Sequence, residues 1–169
     1  MIDESDKLRQ DLVNSFRAYT EAVGKFLSKG VDRVSLIREI IREDINVALK
    51  LAEYLSESEH KQLFNIWVGG ASHHKYVGMY RKFITALPRD WVLERIEAAA
   101  EPYLIDGDME EYRRYLELYL LLDEELTRKL AQRALAHSDP EVVEAGQDFI
   151  EILEDDNRIK ETGEKLAGN

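Results

Sequence analysis

The chain has 169 residues, 34 acidic against 23 basic, a formal net charge of −11 and no cysteine. That length suits one domain with one core. The acidic balance disfavours nucleic-acid phosphates and anionic lipids as partners, and the missing cysteine excludes disulfides, thiolate nucleophiles and cysteine metal sites.

Three prolines and nine glycines leave room for long helices and give little support to strands. The acidic start, Met1-Ile2-Asp3-Glu4-Ser5-Asp6, lacks the basic-then-apolar layout of a secretory signal. No apolar run approaches the ~20 residues of a membrane helix. The expectation is a soluble, cytoplasmic, helical protein.

In chain order, Leu8, Leu12, Phe16, Tyr19, Val23, Phe26 and Leu27 recur at helical steps and stop before Gly30. A second long helix is expected from Asp32 to Leu55, with Val34, Ile37, Ile41, Ala48, Ala52 and Leu55 inward. Ser56 and Glu59 form a capping-box pattern that opens a shorter helix through Trp67. Gly69-Gly70-Ala71-Ser72 reads as a break, with Ser72 capping a helix that carries Tyr76, Met79, Tyr80, Phe83 and Ile84.

Pro88 and Asp90 mark a boundary before a helix from Trp91 to Glu101, which Pro102 ends or kinks. Asp108 and Glu111 cap the next helix, with Tyr112, Tyr115, Leu116, Tyr119 and Leu120 on its apolar face. Leu120-Leu121-Leu122 widens that face and predicts burial on more than one side. Asp123 opens a helix with Leu126, Leu130, Ala134 and Leu135. Asp139-Pro140 starts the last one, because Asp can cap and Pro suits the first helical position. A single helical domain is expected over 1–154, followed by a polar tail over 155–169.

Shifting the chain by thirty residues lays Glu111, Tyr112, Tyr115, Tyr119 and Leu120 over Glu141, Val142, Ala145, Phe149 and Ile150. A shift of thirty-three lays Asp90, Leu93, Arg95 and Ala98 over Asp123, Leu126, Arg128 and Ala131. Two helix pairs follow, at 91–122 and 124–153. With Asp139, Pro140, Val142 and Ala145 in place, the stretch resembles a HEAT-type repeat, although Val143 stands where that family favours arginine. The resemblance implies an all-α helical-hairpin solenoid of seven or eight helices that acts as a scaffold or partner-binding surface. The competing architecture is a non-repeating α bundle.

No Asp or Glu occurs between Glu59 and Asp90, while Lys61, Lys75, Arg81, Lys82 and Arg89 give that window a formal +5. The remainder then carries 18 basic and 34 acidic residues, a formal −16. Two functions fit. In one, a basic aromatic patch of Trp67, Lys75, Tyr76, Arg81 and Lys82 binds an acidic protein partner. In the other, Gly69, Gly70 and Ser72 present helix-start N–H groups to a small anion or phosphate, with His73, His74 and Lys75 beside them. The bland reading is a buried helix pair in which glycines permit close approach.

Other signals have ordinary explanations. Glu57-Ser58-Glu59-His60 holds one Glu-x-x-His, but a di-iron site needs two such motifs and further carboxylates. His73 and His74 are adjacent and diverge on a helix. Ser72 lacks the glycine of a nucleophile elbow, and no phosphate-loop or dinucleotide glycine pattern is present. His137 sits where a cation offsets a helix dipole. The tyrosines Tyr112, Tyr115 and Tyr119 suit a core, or else a recognition groove. The sequence therefore favours a non-catalytic adaptor or regulatory module that binds another protein, with no cofactor, metal, nucleic acid or membrane. The alternative is an anion-binding protein or enzyme built on Gly69–Lys75.

Overall fold

A computed structural model describes residues 3–72 and 75–167, with side chains through Asp155. Among the described residues the chain is helical throughout, with no strand and with no helix long and apolar enough to cross a membrane. Its contacts gather into two compact units, Met1–Gln62 and Leu63–Asn169, where length alone suggests one.

The first unit holds α1 (Glu4–Phe26), α2 (Arg33–Glu43), α3 (Ile45–Ala52) and α4 (Glu57–Gln62). Gly30, at φ 90°, turns the chain between α1 and α2 in a conformation that a side chain resists. Asp32 caps α2 by accepting from the Ser35 amide at 3.0 Å and hydroxyl at 2.7 Å. The single helix expected over 32–55 is two. Asp44 leaves the helical region at φ −148°, and its carboxylate accepts from the Asn46 and Val47 amides to begin α3. An aspartate in mid-helix competes for backbone donors in this way, and here it wins. α2 packs on both α3 and α4.

α1 is different from its neighbours. Its apolar stripe exists as expected, but Leu8, Leu12, Phe16 and Tyr19 are exposed, and the helix buries only Val23 and Phe26 among its described residues.

The second unit holds α5 (Phe64–Gly70), α6 (Val77–Thr85), α7 (Arg89–Leu93), α8 (Ile96–Leu104), α9 (Met109–Leu122), α10 (Glu124–Leu135) and α11 (Pro140–Ala167). Asp108 and Glu111 complete the expected capping box on α9. Asp123 caps α10 by accepting from the Leu126 amide, and Asp139 accepts from the Glu141 amide at the start of α11. The helix expected from Trp91 is split into α7 and α8. Pro102 lies inside α8, two residues before its end at Leu104. α11 continues to Ala167, through the stretch that composition assigns to a polar tail.

Packing in this unit follows one scheme. α5 lies on α6, α8 on α9 and α10 on α11, while α5 also meets α8, α6 meets α9, and α9 meets both α10 and α11. Tyr112, Tyr115 and Tyr119 are buried among these helices, which settles their stripe as core. Leu122 joins them, but Leu121 stays 62% exposed, so the expected two-sided burial of the leucine run fails at its middle residue. Gly146 lets α11 approach α10, since a Cβ there would meet the Ala131 carbonyl oxygen and the Ala134 methyl at 2.8 Å.

One joint in the first unit is sensitive to acid. Glu59 accepts from the Ser56 amide and hydroxyl at 2.8 and 2.6 Å, and Arg33 grips the same carboxylate at 2.8 and 3.0 Å. Burial pushes this carboxyl upward, but the Ser56 donors and Arg33 outweigh it and hold it below its usual 4.5. A lowered folded value means stability that is full above 4.5 and lost as pH falls through that lowered value. Glu59→Gln is expected to cost roughly 1–3 kcal/mol at neutral pH. The difference from wild type should close on acidification, as read from urea midpoints across the pH range.

Candidate interaction surface

The acid-free window spans the end of α4, then α5, α6 and the start of α7, and most of it serves the interior. Phe64, Trp67, Val68, Gly69 and Gly70 of α5 are buried, as are Tyr80, Phe83 and Ile84 of α6. Trp67 has no exposed surface and packs its indole 5.0 Å from Phe83 and 6.1 Å from Tyr80, centroid to centroid. It cannot anchor a partner from the surface. Its aromaticity belongs to the core.

The glycine pair closes α5 and does not open a helix. Gly69 lies under the Tyr103 phenol, where an added Cβ would stand 2.2 Å from the hydroxyl oxygen. Gly70 lies under the Tyr80 ring, where a Cβ would meet three ring carbons at 2.3 to 2.5 Å. The Ser72 hydroxyl is buried and donates to the Gly69 carbonyl at 3.0 Å. The next helix begins at Val77, five residues after the serine expected to cap it. Tyr115 donates its hydroxyl to the Val68 carbonyl at 3.0 Å, tying α9 to the end of α5, and burial pushes this phenol well above its ordinary range. Gly69 and Gly70 therefore lie against two tyrosines at the end of α5, and Ser72 bonds back to Gly69, so none of the three stands at the helix start expected for an anion site. His73 and His74 lie outside the described residues.

The window's cations divide in two. Lys61 meets Glu57 at 2.5 Å. Arg81 is largely covered and donates to the Glu117 carboxylate at 2.7 Å and to the Arg114 carbonyl at 2.9 Å. Arg89 reaches from the start of α7 to Asp123 at 2.5 Å and the Leu122 carbonyl at 3.0 Å. All three acids lie outside the window, Glu57 four residues before Lys61 and the partners of Arg81 and Arg89 36 and 34 residues away. Lys75 and Lys82 lie on the exposed side of the window, Lys75 with its ammonium 5.2 Å from the Tyr76 ring centroid. Of the five residues expected to bind a partner, Lys75, Tyr76 and Lys82 reach the surface, whereas Trp67 and Arg81 hold the unit together.

Sequence reasoning missed two features. One is the exposed α1 stripe, whose lack of cover no periodicity reveals. The other is a set of ion pairs between helices: Lys129 with Glu97 at 2.6 Å, Arg133 with Glu101 at 2.6 and 3.0 Å, and Arg113 with Asp148 at 2.7 Å. The Arg133 guanidinium holds the Glu101 carboxyl below its usual range. His137 accepts from the Asp139 amide through Nδ1 and packs on Tyr112, a turn contact at the end of α10.

Comparison with known proteins finds no match to a protein-family model, to a curated protein or to a solved structure.

The division of the window predicts opposite responses to substitution. Gly70→Ala and Arg81→Glu should each lower the urea midpoint, the first by overpacking worth about 1–3 kcal/mol, the second by setting a carboxylate against Glu117. Lys82→Glu on the exposed face should stay within roughly 0.5 kcal/mol of wild type.

Proposed function

We propose that the second unit is a non-catalytic, HEAT-like helical-hairpin solenoid that binds an acidic segment of another protein. Three hairpins, α5–α6, α8–α9 and α10–α11, would stack so that first helices meet first helices and second helices meet second helices. Support comes from the regular spacing of the bonds between them. Glu101 to Arg133 spans 32 residues, Arg113 to Asp148 spans 35 and Arg81 to Glu117 spans 36, and Arg89 of α7 reaches Asp123 34 residues on. A repeat of that length puts equivalent positions of neighbouring hairpins side by side, and stacked hairpins create extended surfaces for partners.

The observation that carries the functional reading is the outward face of the acid-free window. Lys75, Tyr76 and Lys82 reach solvent there, in a stretch with no acid of its own, on a chain whose net charge is −11. Such a face attracts an acidic segment and the remaining surface repels it, which sets where the segment docks. Tyr76 adds contact area at little entropic cost.

The test is an affinity capture from native lysate with wild type and with Lys75→Glu/Lys82→Glu, compared by mass spectrometry. Recovery of a specific protein by wild type, reduced at least tenfold in the variant while its circular dichroism is unchanged, is the expected result. Equal recovery by both forms would refute this surface.

A further inference from the structure

The first helix raises a separate problem. Residues 4–22 of α1 bury no side chain, yet they carry Leu8 at 60%, Leu12 at 62%, Phe16 at 70% and Tyr19 at 41% exposure on one face. A helix in water gains most of its stability from packing that face, so a stripe of this size needs cover. At its C-terminal end the stripe runs into an apolar groove of about 470 Å³, lined by Tyr19, Val23, Phe26, Leu36, Val47 and Leu51.

We infer that a second copy of this chain covers the stripe, with the two α1 helices paired antiparallel about a twofold axis. An isologous interface must be complementary to itself, and the residues flanking the stripe meet that condition. One flanking row, read every seven residues, is Glu4, Asp11, Ala18 and Lys25, with acids at the start and a base at the end. Rotating the helix about its middle sets Glu4 of each copy against Lys25 of the other. The opposite row runs Arg9, Phe16 and Val23, and the same rotation lays each Arg9 guanidinium beside the second copy's Phe16 ring.

Between these rows Leu8 meets the second copy's Tyr19, and Leu12 meets its Ser15, a large residue against a small one. Leu8 thereby arrives at the mouth of the apolar groove, which a parallel pair would leave open. A parallel pair would also set Lys25 beside Gly30, with no acid to meet. The existing contacts of these ions, Arg9 with Asp6 and Lys25 with Glu21, are exposed pairs within one helix and yield readily.

Sedimentation equilibrium on the full chain tests the pairing. Wild type is expected at twice the chain mass at micromolar concentration, and Leu12→Glu at the mass of one chain. Tryptophan fluorescence should be unchanged in the variant, because Trp67 and Trp91 lie outside α1. Glu4→Lys and Lys25→Glu should each weaken the dimer by roughly 3- to 10-fold, and the doubly reversed chain should recover wild-type affinity. A monomeric wild type, as expected if α1 instead serves another protein, overturns the inference. So does a dimer that Leu12→Glu leaves intact, or a double reversal without recovery.

Discussion

The close approach of α5 to the tyrosines of later helices is the contact on which the second unit depends. Gly69 and Gly70 have no side chains, so the Tyr103 and Tyr80 rings lie directly on the α5 backbone. Tyr115 completes the joint by donating to the Val68 carbonyl near the end of the same helix. A buried phenol lacks water, and the Val68 carbonyl, which also accepts from the Ala71 amide, gives it a partner. The three tyrosines come from α6, α8 and α9, so this single joint binds four helices.

That joint explains the charge distribution. A segment whose backbone and aromatics are committed to the interior has no room for uncompensated acids. Its arginines reach Glu117 on α9 and Asp123 at the junction of α9 and α10, and Lys75 and Lys82 lie exposed. The cationic strip is therefore the outer skin of a core segment, and its contrast with the acidic surroundings is what the proposed recognition of an acidic segment rests on.

Local chemistry was legible in the sequence. The caps at Asp108, Asp123 and Asp139 were readable because each depends on residues within three positions. The tyrosine stripe of α9 was readable from its period. The break at Asp44 was not, because Val34, Ile37, Ala48 and Ala52 keep helical step straight through it. Gly69-Gly70 was legible as the end of a helix, but the reason for the glycines was not, because Tyr80 and Tyr103 lie ten and thirty-four residues downstream of the glycines they cover. The ion pairs of Arg81, Arg89 and Arg133 were hidden for the same cause. An apolar stripe such as that of α1 announces a buried face without naming what buries it.

The most direct test is hydrogen exchange across residues 67–71, with and without inorganic phosphate. The Ala71 amide bonds back to Trp67 and Val68, and the glycines are sealed by tyrosines. These amides should exchange only when the whole unit unfolds, at a rate that phosphate leaves unchanged. Early exchange that phosphate slows would contradict the account, returning the glycine pair to the role of an anion site.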